Sequence, residues 1–151
     1  MNQLLLIAHV VFGVLCLLSA LWVFVDALNA SERNLGRIRW MSRLGAFFMY
    51  IAFVIAGYWY VVFYKADKAI ILKGPWPFSH SFFMETKEHL VILLLMLATY
   101  LPIATGNNLS SDKNARKIVL VSSALVALLT LAMEGEGSMI AMGLKVALLA
   151  K

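Results

Sequence analysis

The chain has 151 residues, 62% of them hydrophobic and only 14% charged, with a formal net charge of +5 and a mean hydropathy of +0.85. That much apolar surface exceeds what one soluble core of this size can hide, so the composition excludes an ordinary soluble domain and predicts a single integral membrane domain, residues 1–151. The basic residues fall between apolar runs rather than along one stripe, which excludes a nucleic-acid surface and predicts contact with lipid headgroups.

Four apolar runs, residues 4–28, 44–64, 90–104 and 118–133, follow in order. None alternates with period two, and only helices and closed barrels satisfy their backbone in lipid, so each predicts a helix. The first run follows Met1-Asn2-Gln3, which lacks a basic region, and is too long for the core of a secretion signal; it predicts a spanning helix. Cys16 lies inside it as the single cysteine and predicts core packing. The last two runs are short of the roughly 20 residues that cross about 30 Å of hydrocarbon. Extended by their flanks, the helices are expected at about 4–28, 44–64, 86–105 and 116–134.

Residues 29–43 carry Arg33, Arg37, Arg39 and Arg43, and residues 105–117 carry Lys113, Arg116 and Lys117, which places all five arginines on one membrane face. The excess of basic residues on cytoplasmic loops puts that face inside and both termini outside, as in a bacterial inner membrane. Asp26, at the same face, is expected to pair with an arginine of the first loop. On the other face, Lys73-Gly74-Pro75-Trp76-Pro77-Phe78 predicts a shaped turn, since proline opposes helix and glycine allows a tight bend. Tyr58, Trp59, Tyr60 and Tyr64 close the second helix there as an aromatic belt, with a quinone site as the other reading. Beyond Glu134-Gly135-Glu136-Gly137, residues 138–150 are too short to span and predict an interfacial helix, the other reading being an overhang of the fourth helix.

Ionisable groups at membrane depth are costly and mark candidate sites. His9 and His89 return to the same outer face in this topology, and two neutral imidazoles at similar depth can hold the iron of haem b between helices of a bundle. Lys65, Lys68, Lys73, Lys87 and Trp76 would then meet its propionates. His80, near the turn, is expected at the surface, with a further ligand or a gate as other readings. Glu85 and His89 share a helix face, as do Glu85 and Glu88; with His9 and Glu134 they form an alternative mixed-ligand site for copper, iron, zinc or manganese. Glu134 and Glu136 are also candidate proton carriers. The di-iron bundle pattern is not met, because Glu85-Thr86-Lys87-Glu88-His89 contains no Glu-x-x-His. No hydrolase or nucleotide-dependent motif is present.

With four helices and His9 and His89 in ligand-like positions, the chain resembles small four-helix membrane b-type cytochromes and related haem- or copper-handling membrane proteins. That resemblance implies an all-α membrane bundle with one bis-histidine haem b, exchanging electrons with a quinone or a redox partner protein. Two other functions fit the same residues: an outer-face transition-metal site, and a non-catalytic subunit of a larger membrane complex or homo-oligomer. The last would use Gly45, Ala46 and Gly57 for close helix approach.

Overall fold

In the computed structural model, which describes residues 3–150, four helices are long and apolar enough to cross a membrane: α1 (Gln3–Leu28), α2 (Leu35–Lys73), α3 (Ser79–Ala104) and α4 (Lys113–Leu149). They run up and down in turn. α1 packs against α2 and α4, α3 packs against the same two, and the backbones of α1 and α3 stay apart across the diagonal, only their side chains meeting in the core. Outward positions such as Ile7, Val54, Met96 and Leu128 are more than 60% exposed, as the lipid-facing side of a membrane bundle requires. Inward positions are small or branched. Gly45 lets α2 approach Ser19 of α1 closely, the small-residue contact that substitutes for hydrophobic drive in lipid. Gly57, expected to do the same, has nothing near it.

The ends of the helices follow from local chemistry. Asn34 turns its side-chain amide back onto the Asp26 and Asn29 carbonyls at 3.2 and 3.1 Å, closing the last turn of α1. Pro75 and Pro77 stop α2 and release the chain into α3. Asp112 caps α4 by accepting from the backbone of Asn114 and Ala115 at 2.8 and 3.0 Å.

Three helices differ from the sequence expectation in length: α3 begins at Ser79, seven residues before the expected residue 86, because a π-turn over Ser79–Met84 continues it toward the turn. α2 begins nine residues earlier than residue 44 and ends nine later than residue 64, and α4 runs unbroken from Lys113 to Leu149. Residues 138–149 are thus an extension of α4 and not a separate interfacial helix. Glycine costs a helix only about 1 kcal/mol, so Gly135 and Gly137 do not break it. Gly143 and Gly74 are useful there: a side chain at 143 would collide with Ser79, and one at 74 with Ala147. These contacts seat the end of α4 on the turn between α2 and α3. Three helix ends therefore form a cap beyond α1, closed around Tyr64, Ile71, Met84, Ile140 and Leu144.

Two of the three helices in the cap, α2 and α3, carry a local change of register. Residues Tyr60–Tyr64 of α2 and Ser79–Met84 of α3 are π-turns, each holding more residues than an α-turn of the same rise. Along α2 the buried face runs through Ile38, Ser42, Gly45, Met49 and Ala52. Continued with regular spacing it would reach residues 63, 66 and 70. The π-turn moves it to Tyr64, Asp67 and Ile71, all buried. Tyr64 therefore leaves the expected aromatic belt for the core, while Tyr58 and Tyr60 stay outward.

Candidate functional site

Apart from Cys16 and His80, three ionisable residues, His9, Lys87 and Glu134, fall on the inward stripes of three different helices. In α1 the stripe is His9, Gly13, Cys16, Ala20 and Val23; in α3 it is His80, Met84, Lys87, Val91, Leu94 and Ala98; in α4 it includes Val126, Ala127, Thr130 and Glu134. Spacings of three and four residues keep each set on one helix face. Lys87 is therefore directed opposite to its neighbours Glu85, Glu88 and His89, which share the outward face and are exposed.

The three inward residues meet near the amino-terminal end of α1. His9 Nδ1 lies 3.0 Å from the Ala52 carbonyl of α2. A carbonyl only accepts, so Nδ1 carries the hydrogen and, in the neutral ring, Nε2 keeps the lone pair. Lys87 is the charged group beside His9; its ammonium donates to the Met133 carbonyl at 3.0 Å and faces the Glu134 and Glu136 carboxylates. Glu134 lies against the bare backbone of Gly13, in space that any side chain at 13 would take, and Gly137 leaves room for the Lys87 ammonium. Glu136 buries Oε2 without a hydrogen-bond partner. Among the described residues the one ion pair within 4 Å is Arg37–Asp26 at the other end, the loop pairing expected for Asp26. Lys87 is thus held by a carbonyl within a ring of charged and polar groups. Such a cluster can accept, hold and pass on protons.

The expected site residues are distributed differently. His89 is exposed, with Nδ1 2.6 Å from the Glu85 carbonyl one turn back. It sits on the outward face of α3, diagonal to α1, so the bundle does not bring it to His9. No group of three or more His, Cys, Asp or Glu side chains assembles for a metal among the described residues, and His9, Glu85, Glu88, His89 and Glu134 therefore do not form one ligand set. His80, expected at the surface, is 4% exposed and bonds Tyr64. Trp76 is half-buried in the turn and packs on Phe78, while Lys65 and Lys73 are exposed at the cap.

Lys87 as an inward residue was open to sequence reasoning through its place between Met84 and Val91. Tyr64 was not, because a π-turn leaves no regular spacing to read. No protein-family model, curated protein or solved structure matches this chain.

Proposed function

We propose that the protein is a membrane-embedded proton-exchange component, with His9, Lys87, Glu134 and Glu136 as its protonatable centre. The observation that carries this reading is the convergence of Lys87, Glu134 and the oriented His9 imidazole on inward helix faces, with the buried carboxylate oxygen of Glu136 nearby, where structural need alone would select apolar residues. From Lys117 to Glu134 helix α4 rises about 26 Å, so the centre sits within the hydrocarbon thickness but near its far edge. With the arginine-rich loops in the cytoplasm, that edge is the outer one. Glu85 and Glu88, exposed within the same helical turn as Lys87, put water or headgroups within reach of the centre. Protons would enter there and be stored on the glutamate–lysine–histidine group for a redox or transport step in the membrane.

Infrared titration of the protein in lipid nanodiscs, from about pH 4 to pH 9 where carboxyl and imidazole groups change charge, tests this. A carboxyl band that titrates and is lost in Glu134→Gln supports the centre. Identical titrations of wild type, Glu134→Gln and Glu136→Gln remove it.

A second reading, haem or metal ligation within an electron-transfer protein, is favoured by one observation: the bond from His9 to the Ala52 carbonyl leaves Nε2 as a free donor, the usual arrangement of a ligating histidine. The pair His9 and His89 does not fit a haem gripped inside one bundle, so His9 alone would be the protein ligand. An absorption spectrum separates the readings. A Soret band that His9→Ala abolishes supports ligation; neither that band nor a titrating carboxyl leaves the packing subunit as the better account.

A further inference from the structure

The second buried polar group lies in the cap, where a side chain from each π-turn meets the other. The Tyr64 hydroxyl and His80 Nδ1 are 3.0 Å apart, with Tyr64 2% and His80 4% exposed. We propose that Tyr64 is a redox-active tyrosine and His80 its proton acceptor. This rests on the cap alone and stands independently of the proton-exchange centre.

The π-turn in α2 is the first argument. Regular spacing would place Phe63 on the buried face, and a phenylalanine would fill an apolar core without a polar atom to satisfy. The interrupted helix presents a phenol instead, opposite an imidazole delivered by the π-turn of α3. π-turns concentrate at functional sites. The second argument is chemical. Removing an electron from a buried phenol leaves a cation in a poorly solvating site, a costly state unless the proton leaves as well. Here an acceptor stands 3.0 Å away, His80 Nδ1 in the tautomer that carries its hydrogen on Nε2. The electron leaves the Tyr64 ring for a one-electron oxidant, the phenolic O–H bond breaks, and the proton bonds to Nδ1 of His80. The products are a neutral tyrosyl radical, an imidazolium and the reduced oxidant, and the reverse step restores the phenol. The third argument is the route. Tyr60 stacks on Tyr64 with ring centroids 5.3 Å apart and planes at 23°. It is 38% exposed and lies beside Glu88. Tyr60 therefore gives the buried ring an outer edge at which a one-electron oxidant, such as the metal centre of a partner protein, can dock.

Photogenerated tris(bipyridine)ruthenium(III), applied to the protein in nanodiscs and followed by electron paramagnetic resonance, tests the proposal. The expected result is a long-lived neutral tyrosyl radical that forms more slowly in D2O and shows a nitrogen coupling from the bonded imidazole. Tyr64→Phe should abolish it and His80→Phe should remove the nitrogen coupling, whereas Tyr58→Phe, at an exposed ring, should leave it unchanged. A wild-type radical without nitrogen coupling overturns the proposal without recourse to any variant. So does a radical that persists at full yield in Tyr64→Phe.

Discussion

At the arginine-rich end of the bundle the polar groups close on one another. Arg37 grips Asp26 through two bonds of 2.6 Å, Arg39 donates to the Thr105 and Gly106 carbonyls, and Ser42 and Thr105 share a buried hydroxyl contact of 2.9 Å. At the opposite end some, such as Tyr64 and His80, are paired, but others are not. The buried side-chain atoms that lack a partner among the described residues are Trp59 Nε1, Asp67 Oδ2, Ser79 Oγ and Glu136 Oε2, all in or beside the cap. A buried polar group that is bonded stabilises modestly, and one left alone destabilises. One end is therefore built for stability, while the other retains polar groups that stability does not explain.

Removing polar groups at the two ends should accordingly have opposite results. The largest loss is expected for Asp26→Ala, which frees the guanidinium of Arg37 and leaves the connection between α1 and α2 unpinned; a fall of about 6 °C in the thermal midpoint in detergent is the expected scale. Ser42→Ala orphans the buried Thr105 hydroxyl from its side-chain partner and should cost about 1 kcal/mol in the same assay. Ser79→Ala removes a hydroxyl that has no bond to lose, so it should stay within about 0.5 kcal/mol of wild type or exceed it. A loss at Ser79 as large as that at Ser42 would break the contrast between the ends. Gly13→Ala sharpens it further. The added methyl meets only the flexible tip of Glu134, so the midpoint should hardly move while the infrared signature of the glutamate changes.

The spanning helices were legible because lipid leaves a chain few options: residues 4–28 match α1 to within a residue, and the arginine-bearing segments fall together at one end of the bundle. Helix extensions were not, since residues 65–73 and 138–149 are too polar or too short to read as spans and are held in place by tertiary contacts at Gly74 and Gly143. The candidate site was half legible. His9 stood out within an apolar run and Glu134 just beyond the end of one, and Lys87 was readable as inward from its place between Met84 and Val91, although Glu85, Glu88 and His89 beside it look similar in sequence and face the other way. The juxtaposition of Tyr64 and His80 depends on two π-turns and could not be inferred from spacing.

In the proposed proton-exchange centre, His9, Lys87 and Glu134 act as one unit inside the membrane. Infrared titration of Lys87→Gln tests it most directly, because Lys87 is not itself a carboxyl group and can affect the Glu134 band only through proximity. The account predicts that the Glu134 band titrates over a different pH range in Lys87→Gln than in wild type, and that His9→Gln also displaces it. A Glu134 band whose titration is the same in wild type, Lys87→Gln and His9→Gln would contradict it.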